Sequence, residues 1–158
     1  MDKNKAVIDY LSSCPAIENS PLFFNFAKAE DNNKQLVTVA SDKKIERPYI
    51  DGSVLKRYTF TLIDYRSIAY QAIVKQANFP NENVEELLDV QSIIDWVEEQ
   101  NDMGNYPNFG EDCIIDEIKA LTDTPKLNGV DSSTSPSLAK YSVSIQITYL
   151  DMSKRLWK

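Results

Sequence analysis

The sequence predicts an α+β domain: an antiparallel sheet, mostly four- to five-stranded, with a short N-terminal helix and one long amphipathic helix packed on one face. Three observations carry this. Residues 140–150 (KYSVSIQITYL) alternate Tyr141, Val143, Ile145, Ile147 and Tyr149 with Ser142, Ser144, Gln146 and Thr148, the mark of a strand with one buried and one polar face. Residues 55–65 (LKRYTFTLIDY) repeat that pattern, with Tyr58, Phe60 and Leu62 opposite Arg57, Thr59 and Thr61. Residues 82–103 space Val84, Leu87, Leu88, Ile94 and Val97 at helical intervals, with Ile93 and Trp96 broadening the stripe.

The remaining elements follow in chain order. Residues 2–13 read as a helix that Asp2 caps, with Val7, Ile8 and Leu11 on one face. Cys14-Pro15 ends it, because a residue before proline is pushed out of the helical region. Residues 22–29 and 35–40 flank Asp31-Asn32-Asn33-Lys34 and read as a β-hairpin. Residues 41–54 (SDKKIERPYIDGSV) form a polar loop, and Arg47, Tyr49 and Asp51 are its candidate contact residues. Residues 66–77 are ambiguous, and Pro80 marks a break. The long helix begins with Asn81 or Asn83 as a cap, carries Glu82, Glu85 and Glu86 at its positive end, and stops at Gly104. Residues 113–120 form a strand, and the Ser/Thr/Gly/Pro-rich stretch after Ala120 is a loop. The order is α-β-β-β-α-β-β, in one domain spanning residues 1–158.

Composition narrows the chemistry. The chain of 158 residues has no histidine, which removes Ser-His-Asp and Cys-His catalysis, imidazole bases and the usual zinc and iron sites. Its two cysteines, Cys14 and Cys113, read as reduced thiols. With four glycines and no Gly-rich phosphate loop, GxSxG, HExxH or calcium loop, no cofactor and no enzyme activity is expected. Apolar runs are far shorter than the ~20 residues that span a bilayer, so no membrane partner is expected either.

Charge is the strongest functional signal. The net charge is −7, and half of the 24 acids lie between Gln76 and Ile118, where there is no Lys or Arg. The rest of the chain holds twelve acids against 17 bases, a surplus of five. Glu82, Glu85, Glu86, Asp89, Glu98 and Glu99 are the candidate acids for a subunit contact or for lining a channel. Adjacent pairs such as Glu85/Glu86, Glu98/Glu99 and Asp116/Glu117 point apart on a helix or strand, so they read as a solvated face rather than as a carboxylate site.

Three segments, RPYIDGSVLKRYTFTLIDYRS (47–67), VQSIIDWVEEQ (90–100) and LAKYSVSIQITYLD (138–151), together with the order of elements, give the chain a resemblance to the tail terminator (tail completion) and minor tail proteins of tailed bacteriophages and prophages of low-GC Gram-positive bacteria. The resemblance implies a structural virion protein that caps the tail tube as a homohexameric ring and joins it to the head connector. Its implied partners are itself, the tail tube protein and the head–tail connector, with DNA passing unbound. Its implied place is the virion tail, assembled in the host cytoplasm. The family has no catalytic residues to carry over. The alternatives are a small acidic binding module, such as an inhibitor or DNA mimic, another head–tail connector or minor capsid component, and, third, an enzyme built on carboxylates alone.

Overall fold

The computed structural model describes residues 2–18, 20–25, 33–38, 47–67, 80–131 and 138–156, and of Ser67, Pro80–Leu87 and Asp131 it describes the backbone alone. Its elements are α1 (Lys3–Leu11), β1 (Leu22–Phe24), β2 (Lys34–Thr38), β3 (Arg47–Pro48), β4 (Val54–Ser67), α2 (Pro80–Met103), β5 (Cys113–Ala120), β6 (Lys126–Asp131) and β7 (Leu138–Asp151). The fold is α+β, but the sheet has seven strands and is mixed, in the order β1-β2-β4-β7-β5, with β3 on β4 and β6 on β7.

The two clearest sequence signals form the centre. β4 and β7 pair antiparallel along their whole length, from Val54↔Asp151 to Ser67↔Leu138. Alternation sends Tyr58, Phe60 and Leu62 of β4 and Tyr141, Val143, Ile145, Ile147 and Tyr149 of β7 to one face, where they join a single core with Val7, Leu11, Val90, Ile93, Ile94 and Val97 of the helices. Both helices therefore cover the same face. The sheet's second face carries the intervening Thr, Ser and Gln residues, and the core residues of the two described helices lie on the other side of the sheet.

Several expectations need correction. The expected hairpin at residues 22–40 does not form: β1 and β2 pair in parallel, Leu22 opposite Lys34. Asn25, at φ 58°, turns the chain out of β1, and β2 takes its antiparallel partner from β4 instead, with Leu36 opposite Leu62. The Asn-rich turn signal was misleading because Lys34 belongs to the strand; Asp31 and Asn32 lie outside the described residues. The polar stretch 47–54 is a small hairpin, β3 on the start of β4, and the supposed loop at 126–131 is strand β6, paired with β7 from Lys126↔Ser142 to Asp131↔Leu138. Polar β6 gave no apolar alternation because it lies at the sheet margin, where Leu127 and Val130 are themselves exposed.

The helix ends follow their local chemistry. Asp2 Oδ1 accepts from the Asn4 amide at 2.9 Å, capping α1. α2 starts at Pro80 itself, a residue suited to the first helical turn because it has no amide to leave unpaired. It stops at Gly104, whose φ of 69° and amide bond to the Asn101 carbonyl close the last turn. Within α2 the core residues are Val90, Ile93, Ile94 and Val97, while Leu88, expected in the stripe, is 60% exposed. Trp96 is half-buried against the Tyr10 ring, 5.0 Å between centroids.

The β5 margin of the sheet is blunted by the chain's own side chains. Asn101 Oδ1 accepts from the Ile118 amide at 3.0 Å, and the Tyr106 hydroxyl lies 3.2 Å from the Asp116 carbonyl. A register shift between Ile115 and Glu117 further disrupts the edge. These contacts use backbone groups that would otherwise recruit another strand.

Three tyrosines are packed between the elements and should make the fold sensitive to high pH. Tyr10 donates to the Asn105 carbonyl at 2.9 Å, and Tyr58 hydrogen-bonds Asn4. Burial pushes the Tyr58 and Tyr149 phenols up to about 12, and Tyr10 is raised as well. A raised acid is kept neutral by the fold, so its contribution is complete below the unfolded value of about 10 and is lost as pH rises through the folded one. The expected result is stability that falls between about pH 10 and 12, with tyrosinate absorbance appearing together with unfolding. Full tyrosine ionisation in a protein of undiminished circular dichroism would contradict this packing.

Candidate functional site

The acidic residues singled out by sequence fall on α2, a 24-residue helix without a single Lys or Arg. Its inward face is spent on the core, so its described acids lie on its flanks and outer face. Asp95, Glu98, Glu99 and Asp102 are all exposed, and Asp89 is exposed while its carboxylate reaches Arg66 Nη1 at 3.5 Å. Glu82, Glu85 and Glu86 lie in the first turns of α2, and their side chains are outside the described residues. Among the described residues no three Cys, Asp or Glu side chains converge as metal ligands, and no helix is long and apolar enough to cross a membrane.

The contact loop is a compact hairpin turn. The Asp51 carboxylate accepts from the Ser53 amide at 3.0 Å and from its hydroxyl at 2.5 Å, and those bonds hold its acidity below the usual carboxylate range. The Arg47 guanidinium sits 5.5 Å from the centre of the Tyr49 ring. The chain's C-terminal stretch straps this turn: Arg155 Nε lies 3.3 Å from Asp51 Oδ2, and the Leu156 amide donates to the Asp51 carbonyl at 2.6 Å. Gly52, at φ 88°, makes the strap possible, because a Cβ there would lie 2.4 Å from the Lys154 carbonyl oxygen. Gly52→Ala should therefore cost about 1–3 kcal/mol and release the strap. Faster hydrogen exchange at the Leu156 amide is the readout, and unchanged protection would contradict the close approach.

Beside the turn lies a feature that the sequence did not reveal. Tyr49, Ile50, Leu55, Ile114 and Leu150 line an open groove of about 610 Å³, with Asp51 and Asp116 at its rim. Ile50 is 93% exposed and Ile114 is 55% exposed. Leu55 and Ile114 are each opposite Leu150 in register, so the groove is one end of the second sheet face. The alternation that exposed Arg57 and Thr59 also placed Leu55 there, which is the signal that could have found it.

From that groove the second face continues as a polar surface. Thr61 and Ser144 hydroxyls lie 3.1 Å apart, Gln146 donates to Thr59 at 3.3 Å, and Tyr65 donates to Gln35 at 3.2 Å. Register also puts Arg57, Lys119, Lys126 and Lys140 on this face, with the acids Glu117 and Asp131, and Glu117 lies 3.8 Å from Lys119 Nζ. Ser142 and Tyr65 are buried at the far end, whereas the half from Ile63 to Leu55 is partly open. Charge is thus distributed unevenly between the layers: α2 carries acids and no base, while the second sheet face carries bases and acids together.

A buried charge network also escaped the sequence reading. Lys34 Nζ lies 3.5 Å from Asp64 Oδ2, with both side chains essentially inaccessible, and Lys34 donates to Ser20 Oγ at 3.0 Å. Arg66 clamps the same carboxylate with Nε and Nη2, each 3.1 Å away. Burial pushes the Asp64 carboxyl up and the Lys34 ammonium down, and their mutual attraction opposes both shifts. Elsewhere, the Lys56 ammonium 2.6 Å from Asp151 holds that carboxyl well below its usual range.

The thiols have no arrangement for nucleophilic chemistry: Cys14 is buried, Cys113 is half-buried, both are unbridged, and burial raises both. No family model matches the chain, and no curated protein is similar enough to stand as a relative.

Proposed function

We propose that this protein is a structural assembly subunit, a ring-forming tail terminator of a tailed phage or prophage that caps the tail tube and meets the head connector. The observation that carries this reading is the segregation of charge, an α2 with acids and no base, while the chain's bases, Arg57, Lys119, Lys126 and Lys140 of the second sheet face among them, lie elsewhere. Surface charges contribute at most about 1 kcal/mol each to folding, so folding does not demand their segregation. Association does, because opposed potentials select partner and register. A net charge of −7 also suits a ring through which DNA must travel without being held.

The β5 edge gives a further reason to look to faces rather than strand edges for the contact, since Asn101 and Tyr106 already occupy it. Negative-stain electron microscopy of the purified chain, alone and with isolated tail tubes, tests the proposal. Rings of six subunits, or a cap at one end of the tube, are expected. A monomer that ignores tubes but binds a DNA-binding protein with one-to-one stoichiometry would replace this reading with the DNA-mimic one.

A further inference from the structure

We propose that Asn128 is a site of spontaneous modification, where its side-chain amide is lost through attack by the Gly129 backbone nitrogen. The chain holds one Asn-Gly pair, Asn128-Gly129, and one Asp-Gly pair, Asp51-Gly52. In both, the side-chain carbonyl carbon can meet the next backbone nitrogen, and glycine puts no Cβ in the way. The fold separates the two. Asn128 sits at the bulge of β6: Leu127 is opposite Tyr141 and Gly129 is opposite Lys140, so Asn128 is the extra residue with no partner on β7. Asn128 and Gly129 are both exposed, and among the described residues the Asn128 side chain has no hydrogen-bond partner. A Cβ added at Gly129 would meet nothing within 4 Å. At Asp51-Gly52 the same reaction is blocked twice. Asp51 Oδ1 accepts from the Ser53 amide and hydroxyl, at 3.0 and 2.5 Å, which favours the carboxylate, a poor electrophile. The Gly52 amide donates to the Tyr49 carbonyl at 3.1 Å, which holds the proton that attack must remove.

Water is the only co-reactant, and nothing is oxidised or reduced. The Gly129 nitrogen gives up its proton to solvent base and bonds to Asn128 Cγ. The side-chain nitrogen takes a proton and leaves as ammonia, closing a succinimide ring. Water then opens the ring at either carbonyl, giving aspartate or isoaspartate, and both products carry a new negative charge. In the isoaspartyl product the main chain runs through the former side chain and is longer by a carbon. That carbon enters ahead of the pairs Gly129↔Lys140, Val130↔Ala139 and Asp131↔Leu138. Leu127 and Val130 of this strand are exposed, so little burial opposes the loosening of its outer half from β7.

The test is ageing of the folded chain in warm, mildly alkaline buffer, followed by trypsin and mass spectrometry. Lys126 and Lys140 bound a tryptic peptide, residues 127–140, that holds no Asn or Gln besides Asn128. Over weeks it should gain the mass difference between oxygen and NH and resolve into aspartyl and isoaspartyl forms. A synthetic peptide of the same residues gives the rate without a fold, and the folded chain should approach that rate. Residues 45–56, which hold Asp51-Gly52, should remain a single form. Asn128→Gln should remove the mass shift with unchanged circular dichroism, because the longer side chain would have to close a larger ring. Hydrogen exchange at the Val130 and Asp131 amides should be faster in the aged chain than in the fresh one, and unchanged by ageing in Asn128→Gln. A folded chain whose 127–140 peptide keeps its mass while the synthetic peptide deamidates would overturn the proposal, as would residues 45–56 changing first. Equal exchange in fresh and fully deamidated chains would overturn the loosening of β6.

Discussion

Ile145→Asp should yield no soluble folded protein. Ile145 is fully buried at the middle of β7, flanked by Phe60 of β4 and Ala120 of β5. It lies in the core that also holds Ile93, Ile94 and Val97 of α2. Truncation there costs about 2–5 kcal/mol through lost burial and the cavity left behind, a large share of the 5–15 kcal/mol that holds a typical domain together. A carboxylate adds an unpaired buried charge, which exceeds the remainder. The expected series by urea unfolding is about 0.5–1.5 kcal/mol lost for Ile145→Val and several for Ile145→Ala. Thr148→Val, on the other face, should stay within about 0.5 kcal/mol. A folded Ile145→Asp protein with an unchanged melting temperature would overturn the placement of the core.

The second large effect is expected at the buried charges. Asp64 is shared by Lys34 and Arg66, so Asp64→Leu strands one cation with no solvent access and weakens the hold on another. Removing one partner of a buried ion pair costs about 3–5 kcal/mol, and Asp64→Leu should fall in that range. Lys34→Met should cost less, because Arg66 still clamps the carboxylate through two bonds. The pair Lys34→Met with Asp64→Leu should recover most of the loss, since Arg66 retains Asp89. Additive losses in the double variant would show that the two side chains do not act as a pair. Urea midpoints with unchanged slopes measure all three.

The legible parts of the fold were those where one residue's position implied the next. Period-two alternation over residues 140–150 and 55–65 located β7 and β4, and their long pairing places the core on the predicted faces. The inward row Tyr58, Phe60, Leu62 also continues to Asp64, so alternation alone points a carboxylate at the core; its cation became visible only with the antiparallel β2–β4 register that sets Lys34 opposite Asp64 and leaves β2 in parallel with β1. That pairing was illegible because a turn-like Asn cluster outweighs a three-residue strand in local reasoning. β6 was missed for the same reason: Lys126–Asp131 earns its place through backbone bonds to β7, not through burial. Of the candidate site, the acid-only helix could be read directly, and Tyr49 and Asp51 fall in a turn within the stretch that composition marked as a loop. The groove beside it, and the bases of the second sheet face, depend on strands distant in sequence and needed the register.

The central claim is that the segregation of charge drives association and leaves folding nearly untouched. Sedimentation equilibrium of the wild-type chain across a salt series, with melting curves on the same samples, tests it most directly. Opposed charges are screened once the Debye length contracts from about 10 Å at 0.1 M salt to about 3 Å at 1 M. The account predicts an assembled mass at low salt that falls toward the 18.0 kDa monomer as salt rises, with the melting of the monomer nearly constant. A monomeric mass at every salt concentration would contradict it.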